Sequence, residues 1–151
     1  MLRLRRGSGG TTGPPDLPQV CKLLDQLDLR YFVDSAGRAI LLSFHGDKAD
    51  YDVYIIVDHE RAIVYIGLAG YLTVPRDHPS APAIMSRLME LNWELSLAKF
   101  EWHASGEGEV RISFTFTTEN GIGAQALGAA IASLLDVADR YYIELHAMLE
   151  A

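Results

Sequence analysis

One cysteine in 151 residues, few basic side chains and no long apolar run are the scarcities of this sequence, and each removes a class of protein. A single thiol, Cys21, cannot close an internal disulfide, so the fold must rest on its core, and a reducing cytoplasm is the expected location. A membrane span needs roughly 20 consecutive apolar residues, and no stretch comes near that length. No secretory signal is expected either: MLRLRR is basic, but GSGGTTGPPD follows where an apolar stretch belongs. Lys and Arg number 13 against 20 Asp and Glu, a formal charge of −7. Three of the bases, Arg3, Arg5 and Arg6, lie in residues 1–15, which hold no acid, so the remainder carries 10 bases and 20 acids, a net of −10. Such a body repels phosphate backbones, so no nucleic-acid partner is expected.

What is present is a chain of one-domain length with 49% hydrophobic residues. Residues 1–15 combine the basic run with Gly, Ser, Thr and Pro and read as a disordered tail; residues 16–151 read as a single α+β domain. Asp16 before Leu17-Pro18 is a helix start, and Leu17, Val20, Leu24 and Leu27 recur at helical spacing. From Arg30 to Val74 the period changes to two, interrupted at Ser35–Gly37, Gly46–Asp50 and Asp58–Glu60, which predicts four strands joined by hairpins. The third and fourth are apolar on both faces. Val53, Ile55 and Val57 alternate with Tyr54 and Ile56, and Val64 and Ile66 with Ile63 and Tyr65. An antiparallel meander usually leaves one face polar, so a second cover is expected over Tyr54, Ile56, Ile63 and Tyr65.

A second helix is predicted over residues 80–95. Ile84, Leu88, Leu91 and Leu95 form its core stripe, while Met85, Met89 and Trp93 form another at i, i+4 and i+8, so the apolar arc is nearly twice the usual width. Asn92 projects into that arc and is expected to be a structural clasp, its amide bonded to the loop at Ser96 or to a strand end. A hairpin follows, with Phe100 and Trp102 sharing a face with Val110 and Ile112, Gly106 and Gly108 in the turn, and Glu101 opposite or diagonal to Arg111. A long last helix runs from about Ala124 to Leu149, with Asp136, Asp139, Arg140 and Glu144 expected to face water.

Reactive constellations are sparse. Gly121-Ile122-Gly123-Ala124-Gln125-Ala126 matches the G-x-G-x-x-A of dinucleotide-binding loops, but no second parallel strand follows the helix, so the expectation is a flexible turn and helix start. The five histidines lie on separate elements without zinc-ligand spacing, and Asp47-Lys48-Ala49-Asp50 lacks the calcium-loop pattern. Cys21 sits on a helix face with no base nearby in sequence. No catalytic, cofactor or metal residue is assigned.

The run Leu91-Asn92-Trp93-Glu94-Leu95, then Ala98-Lys99-Phe100, a glycine turn, Val110-Arg111-Ile112, and finally Leu135-Asp136-Val137-Ala138-Asp139-Arg140-Tyr141-Tyr142, resembles the YbjN-like family of bacterial proteins, catalogued under sensory transduction regulation. The resemblance covers about residues 17–149. It implies a fold like that of the class I type III secretion chaperones, which are small acidic homodimers, and carries over no catalytic residue. The expectation is therefore a non-enzymatic, cytoplasmic protein-binding module, chaperone-like or a regulatory adaptor, acting as a homodimer without a cofactor and without membrane contact. Met85, Met89, Trp93, Tyr54, Ile56, Ile63 and Tyr65 are its candidate dimer or partner surface. The alternative is a sensory domain holding a metabolite between sheet and helices near Tyr51, Tyr54, Tyr65 and Tyr71.

Overall fold

The computed structural model describes residues 9–151. The basic run at Arg3, Arg5 and Arg6 lies outside the described residues. Helix α1 (Leu17–Gln26) leads into strands β1 (Phe32–Val33), β2 (Ala39–His45), β3 (Asp50–Asp58) and β4 (Ile63–Thr73); α2 (Ala81–Glu94), β5 (Lys99–His103), β6 (Glu109–Thr117) and α3 (Ala124–Glu150) complete the chain. This is the expected α+β order. The six strands form one sheet ordered β1-β2-β3-β4-β6-β5, antiparallel at every pairing. The chain thus leaves the sheet centre at β4, crosses through α2 to the far edge, and returns by hairpin so that β6 pairs with β4.

Alternation decides which face is covered. Ile40, Leu42, Val53, Ile55, Val64, Ile66, Val110 and Ile112 point to one side and are buried against α1 and α3. Leu127, Ile131, Leu134, Ala138 and Leu145 of α3 supply the opposing layer. At roughly 25 cal/mol per Å² of apolar surface removed from water, this layer is the main stabilising term. No helix among the described residues is long and apolar enough to cross a membrane. Asp16 caps α1 as expected, and Gln19 completes a capping box by accepting from the Asp16 N–H at 2.9 Å while its own N–H donates to the Asp16 carboxylate at 2.8 Å.

Three local features depart from the sequence reading. First, residues 9–15 are tied down rather than disordered: Gly10 bridges Gly123, the Thr11 N–H donates to the Ile122 carbonyl at 2.9 Å, and the Ala124 N–H donates to the Gly9 carbonyl at 3.1 Å. Second, an irregularity between Leu68 and Leu72, where Gly70 takes φ +62°, breaks the alternation of β4. Tyr71, which strict alternation places on the open face, turns inward and donates to the Ala138 carbonyl at 2.7 Å. Third, Asp139 does not simply face water. Its carboxylate accepts from the N–H groups of Asp47 and Lys48 at 2.9 and 3.1 Å and from the Tyr51 hydroxyl at 2.6 Å, fastening the β2–β3 turn to α3.

Burial alone would raise the pKa of Asp139, but the Tyr51 hydroxyl and the two turn N–H groups favour the anion and hold the carboxyl below its ordinary value. A depressed folded pKa contributes stability that is complete above the unfolded value of about 3.9 and is lost as pH falls through the folded one. Asp139→Asn is accordingly expected to lower the urea midpoint at pH 7 and to flatten its fall below about pH 4. Parallel pH profiles for wild type and variant would refute the clamp.

Candidate functional site

Helix α2 buries Ile84, Leu88 and Leu91 in the core and is held on both flanks of that stripe, and the side that remains faces solvent. On one flank the Arg87 guanidinium donates to Glu144 of α3 at 2.7 Å and to Glu90 at 3.2 Å. On the other, Asn92 lies against edge strand β5: its amide nitrogen donates to the Phe100 carbonyl at 3.1 Å, and its amide oxygen accepts from the Phe100 N–H at 2.8 Å. These are the Phe100 backbone groups that do not pair with β6, so the side chain stands in for one residue of a missing neighbouring strand. Lys99 answers by donating to the carbonyls of Asn92, at 2.9 Å, and of Leu95, placing a cation at the C-terminus of α2. Asn92 is therefore a clasp to a strand, one of the two partners expected for it.

Between the flanks, Met89 is 69% exposed and Trp93 91%, while Met85 is half-buried against the core. The sequence stripe is thus two exposed residues and one partly packed residue around an open depression of 670 Å³. Leu97, which the helical pattern could not include because it follows α2, is exposed as well.

The open face of the sheet holds the other candidates. Ile56 is exposed, whereas Tyr54, Ile63 and Tyr65 are half-buried. Tyr54 stands opposite Gly67, and its ring lies where a Gly67 Cβ would be, 2.6 Å from that point, so the glycine provides the bed for the ring. From there the Tyr54 hydroxyl reaches Arg111 on β6 at 2.8 Å. Tyr65 reaches Glu101 on β5 at 3.3 Å, and the Ser113 hydroxyl donates to the same carboxylate. Burial, together with the Tyr54 hydroxyl, raises the Tyr65 pKa well above the ordinary phenol value, so it stays a neutral donor. Glu101 and Arg111 are directly opposite in register, yet their side chains diverge: Arg111 turns to Tyr54 and, at 3.6 Å, to Glu109. Phe32 and Leu41, paired across β1 and β2, extend this face; Phe32 is 77% exposed. Alternation in β2 could have revealed Leu41, but a two-residue strand has no period to read.

The four tyrosines read as a ligand pocket do not converge. Tyr54 and Tyr65 lie on the open face, while Tyr51 and Tyr71 point to the helices, where Tyr142 and His146 pack with them. The recess that Tyr51 and Tyr71 line with Tyr142 and His146 measures 150 Å³, below the roughly 300 Å³ of an ordinary small-molecule site. The G-x-G turn is occupied too. Gly121, at φ +91°, has no room for a Cβ, which would sit 1.9 Å from the Thr11 carbonyl oxygen. Cys21 is buried, and burial pushes its thiol pKa up, away from nucleophilic character. Among the described residues no three His, Cys, Asp or Glu side chains gather in a group able to hold a metal. What stands open is apolar surface, at Met89, Trp93 and Leu97 around α2 and at Phe32, Leu41 and Ile56 on the sheet.

Comparison with known proteins adds a family and a fold. The model of the YbjN family, described as "Putative bacterial sensory transduction regulator", matches residues 16–147. No curated protein matches the chain. Among solved structures it is similar to YbjN from E. coli, described as "a putative transcription regulator", at 14% identity and a TM-score of 0.67, covering 91% of this chain and 95% of that one. It is also similar to a chain of the ExsC-ExsE complex, at 20% identity and a TM-score of 0.59, covering 87% and 97%. At these identities the likeness establishes the fold, which is the helix, meander, helix, hairpin and helix expected from the sequence.

Proposed function

The chain belongs to the YbjN family, and from that premise we propose that it is a non-enzymatic protein-binding module of the cytoplasm, a chaperone-like or regulatory adaptor that works as a homodimer joined through α2. One observation carries the reading. Trp93 and Met89 stand in solvent on a helix whose other two flanks are pinned by Arg87–Glu144 and Asn92–Phe100. A tryptophan left in solvent forgoes the hydrophobic free energy that a partner's cover would supply, and Trp and Met are enriched at interface centres. A two-fold axis across α2 would cover both residues twice. The fold shared with a chain solved in the ExsC-ExsE complex supports the protein-binding part of the reading.

Met89→Glu and Trp93→Glu test it. Neither side chain belongs to the core, so both variants keep the wild-type circular dichroism. Light scattering on a sizing column is expected to give a wild-type dimer, with dissociation constants at least ~30-fold weaker in each variant, the equivalent of about 2 kcal/mol for a central anchor. A wild-type monomer, or variants that stay dimeric, would refute the α2 interface.

A further inference from the structure

We propose that the open face of the sheet is a second docking surface, distinct from the α2 stripe, for a segment of another protein that carries apolar and basic side chains together. The inference rests on the protein-binding reading but not on the α2 dimer. At one end, Phe32 and Leu41 stand exposed beside a 300 Å³ depression whose floor includes Tyr54 and Ala69. Small residues make the hollow: Gly67 and Ala69 are the β4 residues on this face opposite Tyr54 and Asp52. At the other end is Glu101. Its carboxylate is fixed by Ser113, itself 5% exposed, and by Tyr65, and it has no ion-pair partner within 4 Å among the described residues. The nearest guanidinium on the face, Arg111, is already engaged by Tyr54 and Glu109.

Charge selects the occupant. The registers put Asp50, Asp52, Asp58, Glu101 and Glu109 on this face against Lys99 and Arg111, and the Lys99 ammonium is turned away to cap α2. An acidic partner would be repelled, and a purely apolar one would leave the Glu101 charge desolvated and unpaired. A Lys or Arg side chain relieves that cost. The distance from β1 to β5 is five strand spacings, about 24 Å, which roughly seven extended residues would span. The Glu101 carboxylate is held before any ligand arrives, so little side-chain entropy is lost when a cation docks there.

The experiment follows the anisotropy of a fluorescein-labelled 14-residue peptide of alternating leucine and lysine, beside its leucine–glutamate counterpart. Wild type is expected to bind the lysine peptide at least tenfold tighter than the glutamate one. Leu41→Ser should weaken it about tenfold, and Glu101→Gln about threefold with a smaller salt slope. Asp77→Asn, a carboxylate removed from the β4–α2 loop, should leave it unchanged. Equal binding of both peptides would show that charge does not select the occupant, and equal losses in Asp77→Asn would reduce the effect to bulk charge; either result overturns the proposal. So would a change of solution mass in Leu41→Ser, which would assign the face to a second copy of the chain. If Trp93→Glu dissociates the dimer while no variant alters peptide binding, this proposal falls and the α2 reading stands.

Discussion

Asn92→Ala is expected to cost about 2 to 3 kcal/mol, more than an ordinary half-buried polar residue. The amide makes two bonds to the Phe100 backbone, and truncation strips both a donor and an acceptor of their partner at a strand whose side chain is buried. An unsatisfied buried polar group costs about 1 to 3 kcal/mol; water reaching the edge of β5 returns part of that, which keeps the total near the lower half of the sum. For a chain of this length each kcal/mol shifts the midpoint by roughly 2 to 4 °C, so the thermal transition should fall by about 4 to 12 °C. Lys99→Met, which removes the cation from the end of α2, should cost about 1 kcal/mol or less. Lys99 donates to the main-chain carbonyl at position 92, which the alanine variant keeps, but both side chains fasten the same end of α2 to β5, so the two losses should not add and the double variant should be less harmful than the sum. An Asn92→Ala midpoint within 2 °C of wild type would refute the clasp. A further consequence concerns solubility: with the amide gone, Phe100 presents an unpaired N–H and carbonyl at a sheet edge, so self-association should rise in the variant.

How much of this was legible before the structure differs by residue, for physical reasons. The sheet was readable because the strands from Ala39 to Thr117, apart from β4 beyond Leu68, alternate against a buried helical layer, and a one-residue slip would expose Ile55 or Ile112. Asn92 was readable because an amide in an apolar arc must be satisfied somewhere. The inward turn of Tyr71 was not: it depends on two extra residues in β4 at Gly70, and a glycine in a strand does not state which way the next side chain points. Nor was Asp139, since its partners lie 88 to 92 positions away and a carboxylate on a polar helix face resembles its solvated neighbours. Phe32 lacked a period to belong to. The tyrosine pocket failed for a related reason, because spacing along β3 assigns Tyr51 and Tyr54 to opposite faces, yet clustering by residue type ignores that.

Gly121→Ala and Gly123→Ala should behave in opposite ways, although the two glycines occupy equivalent-looking places in one G-x-G motif. At Gly121 the backbone is left-handed at φ +91°, which costs an alanine about 1 to 2 kcal/mol, and the added Cβ meets the Thr11 carbonyl. That oxygen belongs to backbone and cannot swing aside, so residues 9–11 must leave. With them go the Thr11 N–H bond to the Ile122 carbonyl, the Ile122 N–H bond to the Thr11 hydroxyl, and the Gly9 carbonyl that caps the first N–H of α3. At about 0.5 to 1.5 kcal/mol per bond, the total comes to roughly 3 to 5 kcal/mol, and amide exchange at Thr11, Ile122 and Ala124 should accelerate together. Gly123 has φ −104°, ordinary for any residue, and its nearest prospective contact is the Gly9 carbonyl oxygen at 3.7 Å. Alanine there restricts the unfolded chain without straining the folded one and should be neutral or stabilising by up to about 1 kcal/mol. A loop that cradled a dinucleotide would need both glycines for the approach of a pyrophosphate. If the turn instead serves the chain's own N-terminal segment, only the first is indispensable. Equal costs at the two positions, or unchanged exchange at Thr11 in Gly121→Ala, would refute that assignment.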